Sequence, residues 1–113
     1  MKLDVIKGIY KKKSEENEKK RLKALNDVLE ALRKLREEIF FEDAYLFGSV
    51  TRPYSFGEHS DIDIAFQGLY DDKLFYATGF LSSSVERDVN VVKLESIHFK
   101  ENILKNGIRW KRN

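Results

Sequence analysis

Two short groups of residues, Gly48-Ser49 and Asp61-Ile62-Asp63, have types and spacing that suit an anion and a metal ion. Glycine permits unusual backbone dihedrals and lets a ligand approach the main chain closely. Unpaired N–H groups at the start of a helical turn favour an anion, and the Ser49 hydroxyl adds a donor. A Gly-Ser pair alone is also typical of an ordinary turn. Both interpretations of the pair therefore stay open until its surroundings are considered.

The two aspartates lie in the stretch DIDIAF, whose alternation predicts a strand. Asp61 and Asp63 then share one face, with Ile62 and Ile64 on the other, and the Cα atoms of the aspartates should lie roughly 6.5–7 Å apart. Two like charges so placed repel unless a cation lies between them. Mg²⁺ prefers a few carboxylates together with phosphate oxygens. The alternative is a polar strand face in water, and the upstream Gly-Ser turn favours the metal site over it.

A long helix is predicted before these groups. We expect residues 2–38 to form one helix, or two with a bend near Ser14, because apolar residues recur every three or four positions. The stripe consists of Leu22, Leu25, Val28, Leu29, Leu32, Leu35 and Ile39. Similar spacing in the opening turns involves Leu3, Ile6, Ile9 and Tyr10.

A small sheet is predicted to position the polar groups. Strands are expected at Tyr45–Phe47, at 61–66, within 87–95, and as a short last strand or tail at 108–113. Helices are expected over 69–85 and 96–107, with Ser96 near the start of the second and Gly107 at its end. The first should pack on the sheet through Leu69, Phe75, Tyr76, Phe80 and Leu81. The predicted fold class is α/β (α+β), a small mixed sheet with flanking helices.

Composition excludes several kinds of protein. The 113 residues contain no Cys, which excludes disulfides, thiolate zinc sites and cysteine nucleophiles. With no apolar run of about 20 residues and no secretion signal, a cytoplasmic protein without membrane contact is expected. One domain is predicted over 1–113, with a helical segment at 1–40 and a sheet core at 41–113. Lys and Glu interleave in the basic first segment, which favours a solvated helix face over direct nucleic-acid binding.

The stretch LFGSVTRP…SDIDIAF resembles the signature of the polymerase-β-like nucleotidyltransferases, specifically of their minimal branch. The resemblance covers most of the chain and implies that family's fold. It assigns Gly48 and Ser49 to phosphate binding and Asp61 and Asp63 to the metal. It also places nucleotide-binding residues at two further positions, Arg52 and Ser60. For Arg52 a salt bridge within the loop is an equal alternative.

One position departs from the family pattern. In the stretch VNVV, Asn90 stands where the family carries a third acid that helps to bind metal and to deprotonate the acceptor. An asparagine offers a carbonyl oxygen but has no charge and cannot act as a base. Asp88 lies two residues earlier on the same predicted strand face and is a partial substitute, displaced by roughly 6.5–7 Å. The candidate catalytic residues are therefore Asp61, Asp63, Asp88 and Asn90.

The resemblance implies a function. AMP would pass from ATP, with Mg²⁺, to a hydroxyl group, and minimal nucleotidyltransferases often act on a tyrosine of a HEPN-domain toxin. The chain would then be the antitoxin of that pair. Two alternatives stay open: a nucleotide-binding antitoxin that masks its HEPN partner without transfer, and a transferase for a small molecule or nucleic-acid ends.

Overall fold

The computed structural model describes residues 2–110, and side chains from residue 5 onward. This part of the chain forms three α-helices and four strands, and short 3₁₀ turns follow β1, β2 and β3. The elements are α1 (Lys2–Glu38), β1 (Asp43–Phe47), β2 (Ile62–Gln67), α2 (Leu74–Val85), β3 (Val89–Lys93), α3 (Lys100–Asn106) and β4 (Ile108–Arg109). The predicted fold class is confirmed. Residues 111–113 of the predicted tail lie outside the described residues.

The sheet is mixed, with strand order β3-β2-β1-β4. β1 pairs antiparallel with β2 and β4, whereas β2 pairs parallel with β3. A parallel pair needs a crossover connection, and α2 provides it between β2 and β3. β2 therefore lies inside the sheet, with a neighbour on each side.

α1 is one continuous helix, so the alternative of two helices with a bend near Ser14 is wrong. Its second half packs on the sheet, with Val28, Leu32 and Leu35 fully buried. Leu22 is 51% exposed and does not belong to the buried stripe. The stripe runs instead through small side chains and one arginine, at Arg21, Ala24 and Ala31.

The opening turns of α1 expose their apolar side chains. The molecule, α1 included, measures 58 × 28 × 24 Å. The exposed residues are Val5, Ile6, Ile9 and Tyr10. The helical spacing predicted a helix here correctly, but Ile6, Ile9 and Tyr10 do not join the core. The side chain of Leu3 lies outside the described residues. No helix within residues 2–110 is long and apolar enough to cross a membrane.

The two sheet faces bury different sets of side chains. The larger core lies between the sheet, α1 and α2 and contains Leu46, Ile62, Ile64 and Phe66. The opposite face carries a smaller cluster of Tyr45, Ala65, Leu94 and Ile103. Since side chains alternate along a strand, Asp63 shares the face of Ala65 rather than that of Ile62 and Ile64.

Two details of the predicted helices need correction. α2 packs through Ala77, Leu81 and Val85, which recur every four residues. Phe75 precedes Ala77 by two residues, about 200° around a helix, and is 94% exposed. Tyr76 is also exposed. Ser96 ends a 3₁₀ turn rather than starting α3, which begins at Lys100.

Leu32→Ala tests the packing of α1. Because Leu32 is fully buried, its truncation leaves a cavity and should lower the free energy of unfolding by roughly 2–5 kcal/mol. Leu22→Ala, at an exposed position of the same helix, should change it by less than about 0.5 kcal/mol. Urea denaturation of both variants measures the difference. Equal losses would contradict the observed face of α1.

Candidate functional site

Gly48 makes the bend between β1 and the motif loop, which we define as residues 48–60. Its φ is +76°, a conformation that side chains disfavour. A Cβ at this position would lie 2.4 Å from Oδ2 of Asp63. The glycine is therefore required twice, for its backbone conformation and for the space that the Asp63 carboxylate occupies.

A short 3₁₀ turn, Gly48–Thr51, follows the bend. The Thr51 hydroxyl donates to the Gly48 carbonyl at 2.7 Å, and the Arg52 N–H donates to the Ser49 carbonyl at 3.1 Å. Among the described residues no side chain caps the start of this turn. Ser49 lies within this turn and is half-buried, whereas Arg52 ends the turn and is exposed.

The pairing of three strands brings the polar groups together. Phe47 lies opposite Asp63 across β1 and β2, and Asp63 lies opposite Asn90 across β2 and β3. Asp61 immediately precedes β2 and is exposed, whereas Asp63 is half-buried. The bend at Gly48, the Asp63 carboxylate and the Asn90 amide therefore form one continuous group.

Asn90 contacts both carboxylates. Its side-chain Nδ2 donates to Oδ1 of Asp63 at 3.0 Å and, at the longer distance of 3.5 Å, to Oδ2 of Asp61. The two carboxylates thus converge on a single amide group. The sequence does not reveal this contact, because it depends on the pairing of β2 with β3.

Asp88 lies at the edge of this group. Ile62 pairs with Val89, so Asp88 precedes β3 as Asp61 precedes β2. The Asp88 carbonyl accepts a hydrogen bond from the Ile62 N–H at 3.0 Å. Asp61 and Asp88 both line a cleft of about 590 Å³. Within residues 2–110, however, no three His, Cys, Asp or Glu side chains are grouped closely enough to hold a metal ion.

The donor set fits Mg²⁺ that is shared with a phosphate chain. Mg²⁺ in proteins is usually held by one or two carboxylates and takes its other ligands from phosphate oxygens and water. Asp61 and Asp63 supply two carboxylates whose oxygens both lie near Asn90. The bend at Gly48 brings backbone close to the Asp63 carboxylate. A nucleotide on that backbone would therefore meet the metal ligands directly.

Arg21 of α1 holds the start of the motif loop. Its guanidinium is buried, donates to the Val50 carbonyl at 3.0 Å, and forms an ion pair with Glu18 at 2.6 Å. Glu18 in turn accepts the Tyr54 N–H at 2.7 Å. The hydrogen bond from Arg21, followed by that from Tyr54, lowers the pKa of Glu18 below its usual value. Sequence analysis missed this pair, which is not distinguishable from other helix charges by spacing.

Arg87 holds the end of the motif loop. Its Nη1 atom lies 3.0 Å from each of three carbonyl oxygens, those of Gly57, Glu58 and Ser60. Its guanidinium stacks on the Phe56 ring, 4.4 Å from the centroid. The Ser60 hydroxyl also accepts the Gly57 N–H at 2.9 Å. Ser60, a predicted nucleotide ligand, therefore has a contact within the loop. Arg87 was not singled out from the sequence.

The comparison with protein families identifies the class of protein. The family model described as "Polymerase beta, Nucleotidyltransferase" matches residues 28–111, more than half of the chain. The chain therefore belongs to the polymerase beta nucleotidyltransferase family, which confirms the resemblance drawn from the motifs. A search of curated proteins finds no significant match.

Several solved structures share the fold. One is a toxin–antitoxin crystal structure with AMP-PNP, which has 24% identity and a TM-score of 0.62 over 75% of this chain and 73% of that chain. Another is the toxin–antitoxin MntA-HepT, with 22% identity and a TM-score of 0.56 over 76% and 71%. A third, from Shewanella oneidensis, has 21% identity and a TM-score of 0.53 over 78% and 73%. These similarities establish the fold.

Gly48→Ala tests the contact with Asp63. The added methyl would overlap the Asp63 carboxylate, and the alanine backbone would have to keep a positive φ. We therefore expect about 1–3 kcal/mol of destabilisation. If Mg²⁺ with ATP raises the melting temperature of the wild type, the variant should lose that rise. Gly79→Ala is the matched control, because a Cβ there meets nothing within 4 Å on α2. It should stabilise by roughly 0.4–1 kcal/mol. A Gly48→Ala protein with unchanged stability and nucleotide response would contradict the geometry.

Glu18→Gln tests the contacts of Glu18 on α1 with Arg21 and with the Tyr54 N–H of the motif loop. Because folding lowers the pKa of Glu18, its ionised form favours the folded state above the unfolded pKa of about 4.5. That stabilisation is lost as pH falls through the lower, folded pKa. We expect the free energy of unfolding of Glu18→Gln to fall less steeply than that of the wild type as pH is lowered. Denaturation at several values between about pH 3 and 6 measures this dependence. Glu15→Gln, at an exposed position of α1, is the control. Identical acid limbs in wild type and Glu18→Gln would reject this role.

Proposed function

We propose that this protein is a Mg²⁺-dependent nucleotidyltransferase that transfers AMP from ATP to a tyrosine hydroxyl of a HEPN-domain toxin, and that it is the antitoxin of that pair. The observation that carries the proposal is the placement of the Asp63 carboxylate against the glycine bend at Gly48. A carboxylate pair beside a phosphate-binding turn suits a metal-bound nucleoside triphosphate. The core does not require the Asp63 carboxylate, since the buried residues of β2 are Ile62, Ile64, Ala65 and Phe66.

In this mechanism the triphosphate lies along the turn Gly48–Thr51, with Ser49 and Arg52 as further contacts. Asp61 and Asp63 would hold Mg²⁺, which supplies neutralisation of the phosphate charge when bound. The acceptor oxygen attacks the α-phosphorus, the bond to the pyrophosphate oxygen breaks so that pyrophosphate leaves, and the proton of the acceptor hydroxyl passes to Asp88 or to water. Positioning and charge stabilisation account for most of the catalysis in such transfers.

Turnover should be slow, because position 90 cannot accept the acceptor's proton. A general base is typically worth 10²–10⁴-fold. Asp88, which lines the same cleft as Asp61, is the carboxylate proposed as the general base in place of position 90. Replacing it by asparagine should reduce transfer if it is the base.

The proposed partner is supported by two observations. The structural neighbours include toxin–antitoxin structures, one of them with AMP-PNP. This chain also exposes apolar side chains on the opening turns of α1. Exposed apolar groups of this kind commonly mark protein interaction surfaces. A protein acceptor would use such a surface, whereas a small-molecule acceptor would not.

A second candidate is a nucleotide-binding antitoxin that masks its HEPN partner without transferring AMP. The observation that favours it is the Asn90 amide beside Asp63, where the resemblance would place the family's third acid. Both candidates require nucleotide binding at Asp61 and Asp63, and they differ only in covalent transfer.

Asp61→Ala combined with Asp63→Ala tests the proposal. ATP radiolabelled at the α-phosphate is incubated with Mg²⁺, the protein and a candidate HEPN-domain toxin. We expect label on the toxin with wild type and none with the double variant. ATP with Mg²⁺ should also stabilise the wild type alone, by about 2.7 kcal/mol at a hundredfold excess over Kd.

Asp71→Ala combined with Asp72→Ala is the matched control. It removes the same charge from an exposed turn beyond the other end of β2, and it should transfer label normally. Stabilisation without labelled toxin would favour the masking antitoxin. An unchanged response of the Asp61 and Asp63 double variant would exclude these aspartates as the metal site.

A further inference from the structure

The side chain of Asn90 lies where its amide meets two carboxylates. The strand register places Asn90 directly beside Asp63, and Nδ2 is 3.0 Å from Oδ1 of Asp63 and 3.5 Å from Oδ2 of Asp61. Only the NH₂ group can face these oxygens favourably, because the amide carbonyl has lone pairs and no proton to donate. The amide is therefore oriented by the pair of carboxylates.

We propose that Asn90 is an internal substitute for a cation, which holds Asp61 and Asp63 together in the metal-free protein and with which Mg²⁺ must compete. The proposal rests on the proposed function for the identity of the metal site. It adds a role for the residue at the position of the family's third acid. That role concerns the affinity of the site for metal and the stability of the protein without it.

The physical basis is the charge of the pair. Two carboxylates held close together repel each other, and N–H donors offset part of that repulsion. The same hydrogen bonds occupy lone pairs that a metal ion would use. A third carboxylate at position 90 would have both effects reversed: it would add repulsion in the absence of metal and attraction in its presence. Asn90 thus favours a site that is stable without metal at the expense of metal affinity.

The competing explanation is that the carbonyl oxygen of Asn90 is itself a metal ligand. The two explanations predict opposite results for Asn90→Ala. If the amide competes with Mg²⁺, its removal should tighten metal binding. If the carbonyl ligates Mg²⁺, its removal should weaken metal binding. The side chain is exposed, so the substitution should leave the fold intact.

The experiment compares wild type, Asn90→Ala and Asn90→Asp. Melting temperatures are measured in a chelator, without nucleotide or partner, and Mg²⁺ alone is then titrated calorimetrically. We expect metal-free melting temperature to fall in the order wild type, Asn90→Ala, Asn90→Asp. Mg²⁺ affinity should rise in the same order, by about two- to tenfold for Asn90→Ala and by more for Asn90→Asp. Asn26 lies at an exposed position of α1. Asn26→Ala is the control for loss of an asparagine side chain, and Asn26→Asp is the control for the added negative charge.

A double-variant cycle isolates the contact with Asp63. In an Asp63→Asn background, where the repelling charge is gone, Asn90→Ala should cause less loss of metal-free melting temperature than in wild type. Weaker Mg²⁺ binding by Asn90→Ala, or equal effects in both backgrounds, would overturn the proposal. Because the metal-free measurement uses neither nucleotide nor partner, a failure of AMP transfer would not affect its outcome.

Discussion

The register of β2 between β1 and β3 is the constraint on which the site depends. Antiparallel pairing with β1 places Asp63 beside the glycine bend, and parallel pairing with β3 places Asn90 on its other side. Burial of Ile62 and Ile64 in the larger core fixes which face of β2 carries the carboxylates. A shift of one residue would exchange these faces, so apolar packing and site geometry cannot vary independently.

The motif loop owes its shape to two arginines at its opposite ends. Arg21 of α1 donates to the Val50 carbonyl, and Arg87 donates to three carbonyls near the start of β2. Carbonyl groups in a loop have no ladder partners, and a planar guanidinium can satisfy several of them at once. The loop is thus supported by long-range side-chain contacts. These contacts fix the position of the Gly-Ser turn relative to the aspartates.

Sequence alone predicted the mixed sheet, the long helix and the positions of Gly48, Asp61 and Asp63, because local periodicity and motif spacing carry that information. It did not predict the roles of Arg21 and Arg87, whose partners lie about 30 residues away. Periodicity also assigned Leu22 and Phe75 to buried faces, since it counts apolar residues and ignores alanine. In α1 and α2 the buried positions include Ala24, Ala31 and Ala77, so the packed faces turn away from Leu22 and Phe75.

The pairing of β1 with β4 has a consequence for the growing chain. β4 closes the outer side of β1 through residues 108–110, including the Trp110 N–H bond to the Ala44 carbonyl. About 60 residues separate these strands, so at typical translation rates β1 waits roughly 3–12 s for its neighbour. During that interval its edge is open to pairing with another nascent chain. The open edge of β1 is therefore covered only after β4 has been synthesised.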